Sequence, residues 1–131
     1  MQVLLVILMV ADLSMSKRWP LRFMDEWMAL SQPYHDVCIS NAKPNLDDID
    51  KLTSKAYVSN NDATCNYLKC LLQHFKVFNS DGEISKNLVM ETATYMNSEV
   101  TDKCIAEAIN EKNPIKKSCA FTKCIINFYA E

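Results

Sequence analysis

Six cysteines stand at positions 38, 65, 70, 104, 119 and 124 of a 131-residue chain. An even set of cysteines in so short a chain reads as a disulfide framework rather than as a set of free thiols. Six cysteines allow 15 pairings, and the residues alone do not choose among them. Zinc ligation prefers close pairs such as C-x-x-C. Here the close pairs, Cys65/Cys70 and Cys119/Cys124, each enclose four residues, which on a helix places two thiols poorly for one metal. No metal is expected. Each bridge would contribute about 2–4 kcal/mol, mainly by restricting the unfolded chain.

Two of these cysteines lie in the stretch Cys65–Ser85, CNYLKCLLQHFKVFNSDGEIS, which also carries the chain's only glycine, Gly82. Leu68, Leu71, Leu72 and Phe75 recur at three- and four-residue spacing and share one helical face. The spacing predicts a helix from Asn61 or Asp62 to about Phe78, ended by a turn at Asp81-Gly82. Two cysteines on one helix cannot sensibly pair with each other. They would tie this helix to two other segments and make it a hub.

The remaining segments also read as helices. One glycine and four prolines are too few for a turn-rich β fold, and long runs of Leu, Met, Ala, Lys and Glu favour helix. Residues 22–40 have helical spacing, with Pro33 expected to split or kink them. Asn45 suits the N-cap of a short helix to Leu52, with Asp47 and Asp48 in its first turn, and residues 53–60 read as a loop. Ser85 is positioned to cap a helix running through Val89 toward Tyr95. Asn97 or Ser98 caps another containing Val100, Cys104 and Ala108, and Asn113-Pro114 opens the last helix. The expectation is an all-α, single domain of about six helices, disulfide-braced, around an internal apolar cavity.

Residues 3–11, VLLVILMVA, form an unbroken apolar run. Nine residues are too short to span a bilayer, which needs roughly 20. They suit the core of a secretory signal peptide over residues 1–16, with small residues at Ser14-Met15-Ser16, although no Lys or Arg precedes the run. A buried N-terminal helix is the alternative. Residues 17–131 would then form one extracellular domain.

The chain has 14 basic and 16 acidic residues, a formal charge of −2, with no block of one sign. Nucleic acid and membrane insertion are therefore not expected. His35 and His74 lack the setting of a catalytic pair, and no serine sits in a nucleophile elbow. Asn79–Glu83 is too short for a calcium loop. The chain reads as non-catalytic and without a cofactor. Seven methionines, five phenylalanines, two tryptophans and five tyrosines remain. They can fill a core, or line a helical shell around a hydrophobic ligand.

The segments HDVC (35–38), NLDDIDKL (45–52), CLLQHFKVFNSDGEIS (70–85), C-IAEAI (104–109) and KC (123–124) resemble the insect odorant-binding proteins, including the pheromone- and general odorant-binding proteins. The similarity runs from about Arg22 to Phe128. It implies a six-helix fold, a signal peptide and bridges joining the first cysteine to the third, second to fifth and fourth to sixth. Carried over, these are Cys38–Cys70, Cys65–Cys119 and Cys104–Cys124. The family usually has three residues between its second and third cysteines and eight between its fifth and sixth; here both intervals are four. Its usual second and fifth positions hold Asn66 and Ile115, as in a subgroup lacking that bridge. Cys65 and Cys119 are expected to form a relocated bridge in its place.

The resemblance implies binding and transport of a small hydrophobic molecule such as an odorant or pheromone. An olfactory receptor or a homodimer partner are the further candidates. The expected lining is Met28, Leu68, Leu72, Phe75, Met90, Ile105, Ile109, Phe121, Ile125 and Phe128, with Tyr34 or Thr122 as polar contacts. Only seven residues follow Cys124, too few for a further helix that could expel ligand, though Phe128 and Tyr129 could still cover the cavity mouth. A secreted signalling or venom protein using the same scaffold to engage a protein is the alternative. A small secreted hydrolase is the weakest.

Overall fold

A computed structural model of the chain describes residues 18–130. The apolar run at 3–11 and the proposed cleavage site lie outside the described residues. Six helices follow in order: α1 (Leu21–Ala42), α2 (Leu46–Ser54), α3 (Asp62–His74), α4 (Lys86–Thr92), α5 (Ser98–Ile109) and α6 (Pro114–Tyr129). Among the described residues the only β pairing is an isolated bridge between Phe78 and Ile84.

Most helix starts follow directly from local chemistry. The side chains of Asn45, Asn61, Ser85, Asn97 and Asn113 each accept from a backbone N–H in the first turn of α2 to α6 respectively. Each satisfies a donor that the helix itself cannot. In α6 the cap is followed by Pro114, whose missing N–H costs nothing at that position.

Expectations about four helices change. Helix α1 runs unbroken from Leu21 to Ala42 with Pro33 inside it. Pro33 removes the partner of the Ala29 carbonyl. Both residues are exposed, so water is at hand to accept that loss. Helix α3 stops at His74 rather than near Phe78, because Lys76 adopts φ +61°, a left-handed backbone that ends the helical run. Residues 77–85 instead form a short hairpin. Asn79 N–H donates to Glu83 O at 2.7 Å, Ser85 N–H to Val77 O at 2.8 Å, and Gly82 turns the chain at φ +85°. Helix α4 ends at Thr92, short of Tyr95, and α2 extends two residues further than its periodicity indicates, through Ser54.

Helix α3 lies between α1 and α6, and α6 in turn packs on α5. Three disulfides follow the same order. Cys38–Cys70 joins α1 to α3, Cys65–Cys119 joins α3 to α6 and Cys104–Cys124 joins α5 to α6, with Cα atoms 5.6, 5.1 and 5.4 Å apart. The spacing explains the geometry. Residues five apart on a helix are separated by about 140° around its axis. Cys65 and Cys70 therefore leave α3 on different flanks, as do Cys119 and Cys124 on α6. Each of these helices is stapled on two sides.

Buried side chains form two adjoining clusters. One collects Trp19, Phe23, Leu52, Tyr67, Leu68 and Leu71 where α1, α2 and α3 meet. The other collects Leu72, Val77, Val89, Met96, Val100 and Phe121 under α4, α5 and the hairpin. Trp19 fastens the approach to α1 by donating its indole N–H to the Leu52 carbonyl at 2.8 Å.

Candidate ligand cavity and its surroundings

An apolar cavity lies where α1, α3, α4 and α6 converge. Leu72 and Phe75 reach it from α3, Phe121, Thr122 and Ile125 from α6, Trp27 and Leu30 from α1, and Val89 and Thr92 from α4. Trp19, Val77, Ala93, Tyr95 and Met96 complete the wall from the connecting segments. Its volume is about 40 Å³. An apolar cavity of roughly 150 Å³ accommodates benzene, and typical ligand sites begin near 300 Å³. In this conformation the side chains nearly fill the space. A ligand can enter only as they swing aside.

Polar groups in the wall are few. The Thr92 hydroxyl donates to the Leu88 carbonyl at 2.7 Å and is already engaged. The Thr122 hydroxyl makes no hydrogen bond among the described residues, and its side chain is otherwise buried. It is one polar group of this lining without a hydrogen bond among the described residues, beside the Tyr95 hydroxyl and the Trp27 indole N–H. Tyr95 has its hydroxyl pKa pushed up chiefly by burial, with the nearby Glu26 and Tyr129 adding to the rise. It presents a neutral ring to the cavity.

The end of α6 braces Tyr95, one of the lining residues, from behind. Tyr129 donates its hydroxyl to the Tyr95 carbonyl, and its ring packs on Phe23 at 4.5 Å between centroids. Phe23 also meets Tyr95 edge-on at 5.1 Å. These three rings join α1, the segment after α4 and the C-terminal turn.

Five of the residues expected to line a ligand site, Leu72, Phe75, Phe121, Thr122 and Ile125, come together in this cavity. The others lie elsewhere. Leu68 is fully buried in the neighbouring cluster, and Ile105 packs, partly buried, against the second cluster. Tyr34 stacks on His74 at 4.7 Å and meets Phe75 edge-on, so it supports the wall from behind. Met90, Ile109 and Phe128 are exposed, with Phe128 lying beneath the Lys103 ammonium. Met28 is exposed and lines a separate groove between α1 and α2.

On α1 the difference is one of phase. Trp27 and Leu30 face the cavity, whereas Met28, one residue along, is turned by about 100°. Ala93, Tyr95 and Met96 follow the end of α4, where no helical periodicity marks an inward side. The two tryptophans were the available signal, since both line the cavity.

The groove between α1 and α2 has a volume of about 330 Å³ and a mixed lining that includes Ser31, His35, Ile49, Asp50 and Tyr67. At its floor His35 Nδ1 and the Tyr67 hydroxyl share a hydrogen bond of 2.8 Å. Burial pushes the Tyr67 pKa up to about 12. A third surface depression, between α2 and α6, carries Arg18, Lys51, Lys55 and Lys123. The sulfurs of Cys38 and Cys70 lie close to His74, but they are bonded to each other and offer no thiolate.

No helix among the described residues is long and apolar enough to cross a membrane. No curated protein matches the chain. The sequence model of the PBP/GOBP family matches residues 21–127, all six helices but for the last two residues of α6. With the six-helix fold and its three disulfides, the chain belongs to the PBP/GOBP family, the odorant- and pheromone-binding proteins of insects.

Proposed function

We propose that this protein binds and carries a small hydrophobic molecule in an extracellular fluid, with the ligand seated in the cavity between α1, α3, α4 and α6. The observation that carries the reading is the convergence of an almost wholly apolar wall with the Thr122 hydroxyl, which makes no hydrogen bond among the described residues. Transfer of apolar surface from water would supply most of the affinity, at roughly 25 cal/mol per Å². Thr122 would favour ligands with one hydrogen-bonding group, such as an alcohol, aldehyde or ester. The family match supports odorant or pheromone binding in general, and the apolar segment at residues 3–11 supports secretion.

Because the cavity is nearly filled, binding includes a rearrangement of its lining. Met96 and the rings of Phe75 and Trp27 are the adaptable parts, since a thioether and ring torsions change at modest cost. The test is displacement of a hydrophobic fluorescent probe from oxidised, delipidated protein. Saturable uptake of the probe and its release by neutral volatile compounds are expected, with Ala93→Phe abolishing both by filling the cavity. Failure of correctly folded protein to take up any apolar probe contradicts the reading.

A further inference from the structure

The groove between α1 and α2 is built differently from the cavity, and Trp27 forms part of the wall of each. Its volume of about 330 Å³ already falls within the range of small-molecule sites. Ser31 lines it while only 5 % exposed, and its hydroxyl makes no hydrogen bond among the described residues. Its oxygen is not sealed from solvent, so it can exchange water in the groove for a ligand's polar group. Tyr67, 3 % exposed, holds its hydroxyl in place through the His35 hydrogen bond.

Charge selects the head group. Asp50 is the single carboxylate in the lining, and neither lysine nor arginine contributes to it. Its Oδ2 accepts only a 3.3 Å hydrogen bond from Ser54. The walls are Trp27 and Tyr67 rings with Ile49 beside them, and aromatic faces attract cations. We infer that the α1–α2 groove is a second ligand site, taking a small protonated amine with an apolar body. The ammonium donates to Asp50 and Ser31, and the body lies against Trp27 and Ile49. The two sites share Trp27 as a wall residue but no polar contact.

The test is calorimetric titration of oxidised, delipidated protein with 2-phenylethylamine and with its neutral isostere 2-phenylethanol. Each is measured with and without N-phenyl-1-naphthylamine in excess as an occupant of the cavity. The amine is expected to bind with the cavity probe in place and more tightly than the alcohol. Asp50→Asn should weaken amine binding about tenfold, the loss of one charge-assisted contact, and leave the probe's affinity unchanged. Ser31→Leu, which extends an apolar side chain into the groove, should remove amine binding while probe uptake reports an intact fold. Competitive displacement of the amine by the probe overturns the inference, as does equal amine affinity in wild type and Asp50→Asn. Amine binding by a protein that takes up no cavity probe supports the groove and counts against the cavity reading alone.

Discussion

The hydroxyl of Tyr129 donates to the backbone carbonyl of Tyr95 at 2.5 Å, fixing the last turn of α6 to the segment that walls the cavity beyond α4. One hydrogen bond and a ring cluster therefore fasten this turn to the wall residue Tyr95. Tyr129→Phe keeps the ring on Phe23 and removes the donor. A loss of about 1 kcal/mol in urea unfolding is expected. Ligand dissociation should also become faster in stopped-flow measurement, since the wall opens more often.

Cys65–Cys119 closes the longest sequence interval of the three bridges, 54 residues against 20 for Cys104–Cys124. On a chain-entropy basis the two would contribute about 4 and about 3 kcal/mol, with the other bridges lowering both. The double variant Cys65→Ser/Cys119→Ser should unfold at distinctly lower urea than wild type while remaining helical by circular dichroism. Mass-spectrometric mapping of the secreted protein should find no free thiol at Cys65 or Cys119.

Gly82 turns the hairpin at φ +85°, and a Cβ there would meet nothing within 4 Å. Strain in the backbone, not collision, is what a side chain would add. Gly82→Ala should therefore cost only about 1 kcal/mol, measured by thermal unfolding, and leave probe binding intact.

Tyr67 carries a pKa raised by burial from 10.0 to about 12, and Tyr95 is raised further, also chiefly by burial. Below pH ~10 both hydroxyls are protonated in the folded and unfolded chains, and their full contribution is present. Above that, the unfolded chain releases protons that the folded one keeps, so stability falls as pH rises. The urea midpoint should drop between pH ~9.5 and ~12. Tyr67→Phe should flatten that fall. An unchanged slope in the variant would contradict the assignment to Tyr67.

Much of this fold was legible in the residues because its signals are local. The capping residues Asn45, Asn61, Ser85, Asn97 and Asn113 each mark a helix start by a hydrogen bond within two or three positions. The end of α3 was not, because Lys76 enters the left-handed region without being Gly or Asn, and the hairpin that follows depends on Val77 and Ile84 being buried by distant α5 and α6. Only five of the fourteen residues of the cavity lining were legible. Phe121 and Ile125 share a face with Cys124's neighbours on α6, so periodicity finds them. Trp27 differs from Met28 only by the phase of α1, which is set by contacts with α3 and the cavity itself. Periodicity cannot rank inward faces when a helix has neighbours on two sides.

The most direct measurement uses the chain's own fluorophores. Trp19 and Trp27 are its only two tryptophans, and both line the cavity. Titrating a neutral apolar ligand into oxidised, delipidated protein should change tryptophan emission saturably, with the same dissociation constant as probe displacement, and Ala93→Phe should remove the change. Ligand binding that leaves both tryptophans unchanged, or that survives Ala93→Phe undiminished, would place the ligand outside this cavity and contradict the account.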